Sequence, residues 1–182
     1  MFGLSIGDKK KIAPNTAEVF ARLYEEHFPK VYRYIGFQIS DTAIVEDLTS
    51  AVFEKALTKF QSYNPNKAAF STWVISIARN TVTDYYRMNQ KELNMQMENI
   101  RSVDRNEASP DEAMVKAEEI KRLQTCVARL SKQEQEIISL KFGGEMTNRQ
   151  IAKTTGLSES NVAVIIFRTV RKLREQYHGV TI

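Results

Sequence analysis

The chain has 182 residues, 42% of them hydrophobic, with 26 Lys and Arg against 22 Asp and Glu for a formal net charge of +4. That length gives one medium domain or two small ones, and that apolar content supports a packed core and excludes global disorder. The single cysteine, Cys126, excludes an intramolecular disulfide and suits a reducing compartment. No apolar run approaches the roughly 20 residues that cross a bilayer, and no apolar segment follows the first lysines to make a signal peptide.

Residues 1–14 have no period and carry the basic run Lys9, Lys10, Lys11, which reads as a flexible tail. A first helix is predicted over Thr16 to His27, with Val19, Phe20, Leu23 and Tyr24 at helical spacing. Pro29 has no amide and suits a helix start, so a second helix is expected from there with Val31, Tyr32, Ile35 and Ile39 inward. Asp41 caps a third, in which Val45, Leu48, Val52, Ala56 and Phe60 form a stripe. Its other face shows Glu46, Asp47 and Glu54, an ordinary solvated surface or a docking face for a basic partner.

Asn64-Pro65-Asn66 marks a turn in a loop that carries Tyr63, Lys67 and Phe70. Ser71 is expected to cap a fourth helix that buries Val74, Ile77, Ala78, Thr81, Val82 and Tyr85. Trp73, Ser76, Asn80, Asp84 and Arg87 lie on a different face, with Arg79 and Tyr86 flanking. Trp beside Asn and Arg suits nucleic acid, since aromatic rings stack unpaired bases and Asn or Arg reads base edges. The alternative is that Trp73 is plain core.

Residues 89–109 are polar and poorly periodic, which reads as a linker. Ser109-Pro110-Asp111-Glu112 is a helix start, with Ala113, Ala117, Ile120, Leu123, Val127 and Leu130 inward behind it. Ser131 and Glu134 form a capping box, Ile137, Ile138, Leu140 and Phe142 continue a short helix, and Gly143-Gly144 ends it. The fold class expected is all-α: two small helical domains, 15–88 and 110–178, joined by a polar linker.

The most informative stretch is TNRQIAKTTGLSESNVAVIIFRTVRKLR, from Thr147 to Arg174. Thr147 and Gln150 make a second capping box, Gly156 supplies a left-handed helix stop, and Ser158 caps the next helix. There Val162, Ile166, Thr169 and Leu173 share one face. A short helix, a glycine turn and a longer helix make a helix-turn-helix, whose second helix enters the major groove. Arg149, Lys153, Arg168, Arg171, Lys172 and Arg174 supply positive charge for phosphates, against only Glu159 and Glu175. The plain alternative is a helical hairpin with a solvated basic face.

Nothing points to catalysis. His27 and His178 sit in no nucleophile or metal-ligand motif, Cys126 lies on an apolar helix face, and there is no phosphate-cradling glycine loop. No catalytic residue, metal or cofactor is expected.

Four stretches together resemble the bacterial RNA polymerase sigma factors of the extracytoplasmic-function type, which hold only regions two and four. VEDLTSAVFEKAL (45–57) resembles the helix that docks on the polymerase clamp. FSTWVISIARNTVTDYYR (70–87) resembles the promoter-melting, minus-ten-reading helix. LSKQEQEIISLKF (130–142) resembles the start of region four, and the helix-turn-helix resembles the minus-thirty-five reader. The resemblance implies a dissociable subunit with no catalytic residues, in the cytoplasm. Its partners would be core polymerase at clamp and flap, promoter DNA in double- and single-stranded form, and an anti-sigma factor, without membrane insertion.

Carried over by position, Asp47, Leu48 and Glu54 match the polymerase-docking face. Tyr63, Asn64, Lys67 and Phe70 match the loop that captures a flipped base, with Trp73 walling its pocket. Arg79 and Asn80 match positions facing duplex DNA, and Arg87 a backbone contact. In the helix-turn-helix the candidate DNA contacts are Thr147, Arg149, Ser158, Ser160, Asn161, Val164, Arg168, Arg171 and Lys172. Ala163, Val164, Ile165 and Phe167 depart from the family, being apolar where polar or basic side chains are usual. They would meet thymine methyls or a protein partner. The competing reading of the whole chain is a helix-turn-helix regulator whose N-terminal half senses a ligand or dimerises, and it would read a two-fold operator.

Overall fold

The structure is a computed structural model and describes residues 14–96, 119 and 122–179. The lysine run of the tail, the Ser109-Pro110 helix start and the positions Ala113, Ala117 and Ile120 lie outside the described residues.

Helix α1 spans Pro14–Gly36 without a break. The expectation of a new helix at Pro29 is therefore corrected. An interior proline costs a helix about 3 kcal/mol. Here the ring sits on the exposed side, and continuing the helix keeps Phe20 and His27 in line with Val31, Tyr34 and Ile35, all buried. Burial of those three side chains outweighs one lost hydrogen bond, at about 1.5–3 kcal/mol for each large apolar side chain.

Helix α2 spans Thr42–Lys59, and Asp41 caps it as expected, accepting from the amides of Ala43 at 2.9 Å and Ile44 at 3.2 Å. Val45, Val52 and Ala56 are buried, joined by Thr49 and Phe53. The buried Thr49 hydroxyl donates to the Val45 carbonyl at 2.7 Å, which offsets the cost of its desolvation. A 3-10 turn, Phe60–Ser62, leads to the loop.

Helix α3 spans Phe70–Gln96. It begins one residue before the expected Ser71 cap, with the Trp73 amide bonded to the Ala69 carbonyl at 3.1 Å. It also runs eight residues into the stretch read as linker. Met, Asn, Gln, Lys, Glu and Leu there are mostly good helix formers, so lack of apolar period did not mean lack of helix.

In the C-terminal half, residues 122–128 form α4, which buries Cys126 and Val127. The Ser131–Glu134 capping box is present at the start of α5, Lys132–Ile138. A π turn, Ser139–Gly143, follows. The wider turn rotates Phe142 off the Leu140 face, so Phe142 is exposed, not inward as its spacing suggested. Helices α6, Asn148–Thr155, and α7, Glu159–Gly179, complete the chain.

Helices α1, α2 and α3 pack on one another, and α1 also lies against the π turn. The main core therefore runs through both halves: Val31, Ile35, Val52, Val74 and Ala78 are continuous with Ile137, Leu140, Met146, Ile151 and Val162. A smaller cluster joins Val127, Leu130 and Ile138 to Phe37 at the end of α1 and to Val170 and Leu173 of α7. Gly143 allows the approach. A Cβ there would lie 2.6 Å from the Tyr34 Cα, closer than real atoms come.

Candidate nucleic-acid interface

The loop between α2 and α3 is held by its own side chains. Asn64 Oδ1 accepts from the Asn66 amide at 2.9 Å, and the Lys67 amide donates to the Asn64 carbonyl at 3.0 Å. These are the turn bonds that Asn-Pro-Asn predicts. The Tyr63 hydroxyl reaches across to the Ala68 carbonyl at 3.0 Å. Tyr63 packs on Trp73 with ring centroids 5.0 Å apart and edge-on to Phe70 at 5.5 Å. Phe70 in turn contacts Phe20, Phe60 and His27.

This arrangement sorts the candidates. Asn64 and Lys67 are exposed, while Tyr63 and Trp73 are half-buried, with rings anchored below. Phe70 is only 5% exposed, so it is the floor of the aromatic group and not a direct contact. Sequence alone could not separate floor from rim, because both are aromatic in a polar frame.

Along α3 the two faces differ. Asn80 is exposed and borders a polar cleft of about 390 Å³ with Lys55, Lys59, Thr81 and Asp84. Lys55 Nζ donates to Thr81 Oγ1 at 3.0 Å. These two lysines were not among the candidates; their i, i+4 spacing on α2 was the available signal. Arg87 is exposed and paired with Asp84 at 2.9 Å. Arg79 turns the other way and is bound at 2.5 Å by Glu136 of α5. On α2, Asp47 and Glu54 are exposed, whereas Leu48 is half-buried against the core.

The helix-turn-helix has its expected local chemistry. Thr147 Oγ1 accepts from the Gln150 amide at 3.2 Å, and Gln150 Oε1 accepts from the Thr147 amide at 2.8 Å. Gly156 closes α6 at φ 76°, in the left-handed region. Ser158 Oγ accepts from the Asn161 amide at 3.2 Å. Thr147 and Ser158 thus serve as caps. Val162 and Thr169 are buried, with Ile166 and Leu173 half-buried beside them, which is the predicted face.

Arg149, Ser160, Asn161, Val164 and Arg168 are exposed on the outer surface. Arg171 pairs with Glu175 on its own helix, and Lys172 reaches back to Glu134 of α5 at 3.2 Å. The backbone amide of Ser131 and then Lys172 hold the Glu134 carboxyl below the usual carboxylate range. Lys172 is therefore directed to the protein in this arrangement. Of the apolar quartet, Phe167 is 70% exposed and Val164 44%, but Ile165 is half-buried and packs on the core.

Among the described residues no group of three or more His, Cys, Asp or Glu is placed to hold a metal, and no helix is long and apolar enough to cross a membrane.

An aromatic loop ahead of α3 and a basic helix-turn-helix at α6 and α7, in an all-helical chain, are the two parts expected of a protein of the sigma type. The Sigma-70 region 2 family matches residues 23–92, and the Sigma-70 region 4 family matches residues 120–173. The chain belongs to the extracytoplasmic-function sigma factor family. It is 30% identical over 157 residues to the ECF RNA polymerase sigma factor BldN of Streptomyces coelicolor, covering 86% of this chain and 60% of that protein. To SigM of Bacillus subtilis it is 25% identical, covering 86% of this chain and 93% of SigM. Among solved structures, the sigma factor RpoE of Bartonella quintana, in complex with the anti-sigma factor NepR, matches with a TM-score of 0.69. At 18% identity and 91% coverage of this chain, against 99% of that one, the match shows a shared fold.

Proposed function

We propose that this chain is a non-catalytic specificity subunit that binds core RNA polymerase and directs promoter recognition, strand opening and initiation in the cytoplasm. The observation that carries the reading is the rim formed by Tyr63, Asn64, Lys67 and Trp73 at the head of α3, with Asn80 and Arg87 farther along the same helix. Opening a base pair costs a few kcal/mol of stacking, and capturing the freed base offsets it. Tyr63 and Trp73 offer ring surface, Asn64 offers both donor and acceptor, and Lys67 offers charge for the strand. Opening is then driven by binding, with no nucleotide hydrolysis.

Asp47 and Glu54 present an acidic, exposed face of α2 for the polymerase clamp. Ser160, Asn161, Val164 and Arg168 lie in the first turns of α7, the part of a recognition helix that meets base edges. Val164 and Phe167 form an apolar patch on this otherwise polar surface, fit for an anti-sigma partner. Ile165 is not part of that patch, because it faces the core.

The test is to add the purified chain to sigma-free core polymerase and sequence the transcripts initiated on genomic DNA. Initiation from sites that share two spaced elements, lost with Trp73→Ala or Asn80→Ala, is the expected result. Absence of initiation, together with tight binding of the chain alone to a palindromic duplex, would favour the ordinary regulator.

A further inference from the structure

The aromatic rim rests on a group that can take up a proton. Phe70 is the floor of the rim, with its ring centroid 5.5 Å from that of Tyr63 and 5.4 Å from that of Trp73. Three more rings meet Phe70: Phe20 at 6.4 Å, Phe60 at 6.2 Å and His27 at 5.2 Å, the last tilted by 31°. Of these five neighbours only His27 is of a type that changes charge near neutral pH.

The surroundings of His27 suit the neutral imidazole. The side chain is buried, and its Nδ1 has no hydrogen-bond partner among the described residues. A protonated ring needs two acceptors. The fold brings one carboxylate near, Glu26 Oε1 at 3.6 Å from Nε2, and that carboxylate stands mostly in solvent. Lys30, on the same helix, repels a second cation and is itself held by Glu145, beyond the π turn, at 3.0 Å. From α3 comes Phe70, and neither α2 nor α3 brings a charged group that acts on His27. The Tyr63 phenol, on the far side of Phe70, is pushed up by burial and keeps its proton. Burial is the largest influence on His27, Glu26 opposes it and Lys30 adds to it, so its pKa lies below the ordinary 6.5.

A proton on His27 therefore forces a rearrangement, and the two elements in contact do not resist equally. His27 sits within α1, one continuous helix whose inner face is locked in the main core. Phe70 opens α3 directly after a loop held by its own turn bonds. Loop ends open at lower cost than core helices, so the Phe70 side yields first.

We propose that His27 is a proton-sensitive support of base capture: a charged imidazole beside Phe70 unseats the floor, and Tyr63 and Trp73 lose the geometry that holds a flipped base, while the helix-turn-helix keeps its duplex. This rests on the sigma-factor reading above. His27 touches no DNA and acts through Phe70, as a positioning residue. If capture needs the seated floor, the single strand binds only the neutral form. A group titrating at 6.5 would then weaken capture about eleven-fold at pH 5.5, and the lowered pKa of His27 makes that value a ceiling.

The experiment uses the full chain bound to core polymerase. Start sites mapped at pH 7.5 supply two fluorescent probes, a single strand of the downstream element and a duplex of the upstream one. Between pH 7.5 and 5.5, binding of the single strand is expected to weaken by about two- to ten-fold, and binding of the duplex by less than about two-fold. His27→Phe and His27→Gln take up no proton there, so both should hold single-strand binding level across the range. The first keeps a ring and the second a neutral polar side chain, so the profile is still read if either fails to fold.

Trp73 is the only tryptophan of the chain and stands in the rim, so its fluorescence in the free chain reports the floor without any promoter. The wild-type signal should change with a midpoint below pH 6.5, and the signals of the two variants should not. Parallel single-strand profiles for wild type and variants, or equal weakening on both probes, would overturn the proposal. Absence of initiation at pH 7.5 would instead overturn the sigma-factor reading, and the proposal with it.

Discussion

The Tyr63 hydroxyl donates to the Ala68 carbonyl at 3.0 Å, and the Tyr63 ring leans on Trp73 at 5.0 Å. One side chain thus fixes both the exit of the loop and one wall of the aromatic rim. Burial pushes the Tyr63 phenol up from its ordinary value, so the hydroxyl stays a donor throughout the neutral range.

Tyr63→Phe keeps the ring and removes the donor. The Ala68 carbonyl then loses its intraloop partner, at about 1 kcal/mol for a neutral hydrogen bond. Promoter opening is expected to slow by roughly five-fold, while duplex binding by the helix-turn-helix is unchanged. Permanganate reactivity of unpaired thymines against time, measured with core polymerase, reads the first; gel shift of a duplex holding only the upstream element reads the second. Equal opening rates would show that the hydroxyl bond does not shape the loop.

The turn at Gly156 makes a different kind of prediction. At φ 76° a Cβ meets its own backbone, though there is open space around the position. Gly156→Ala should therefore destabilise by about 1 kcal/mol, lowering the melting temperature by roughly 2–4 °C for a chain of this size. Gly156→Asn should lose less, since Asn tolerates the left-handed region. Thermal melts of the three proteins check the order; equal losses for Ala and Asn would point to packing instead of backbone conformation.

Local chemistry was the legible part of this sequence. The caps at Asp41, Ser131, Thr147 and Ser158 and the stop at Gly156 each depend on residues within four positions, and all form as their types require. The break expected at Pro29 did not occur, because burial of Val31, Tyr34 and Ile35 on a continuous helix is a tertiary gain invisible to local rules. The π turn that leaves Phe142 exposed packs against α1, a contact that local rules do not show either. Within the candidate interface, the aromatic loop ahead of α3 was legible in the sequence, but whether Trp73 lay at the surface or in the core was not, and it is half-buried. The inward placing of Phe70 and Ile165, and the capture of Arg79 by Glu136, were not legible either. These depend on which helix faces which across a sequence separation of dozens of residues.

His27 gives the pH prediction. It is buried against Phe70, with ring centroids 5.2 Å apart, and its Nδ1 has no hydrogen-bond partner among the described residues. Desolvation holds its pKa below the ordinary 6.5, partly opposed by Glu26 and reinforced by Lys30. The unfolded chain takes up the proton more readily than the folded one. Stability is therefore complete above about pH 6.5 and falls as pH drops through that value toward the folded pKa. His27→Phe fits among the same rings and cannot protonate. Urea unfolding at pH 7.5 and 5.5 should show a drop for the wild-type chain in excess of that for the variant. Parallel drops would assign the acid sensitivity to the carboxylates.

Phe167 and Ile165 are two residues apart on α7 and make opposite predictions. Phe167 is 70% exposed, with no core to support, so Phe167→Asp should leave stability within about 0.5 kcal/mol. Ile165 packs on the main core, and Ile165→Asp, which puts an unpaired charge there, should destabilise by about 2–3 kcal/mol. If the patch of Val164 and Phe167 docks an inhibitory partner, Phe167→Asp should leave purified transcription with core polymerase within about two-fold. It should also raise transcription of the same start sites in cells, because an interface aromatic is a frequent anchor of binding energy. The ratio of cellular to purified activity is the measurement. A loss of purified transcription would instead place Phe167 against DNA, where its ring would meet thymine methyls in the major groove.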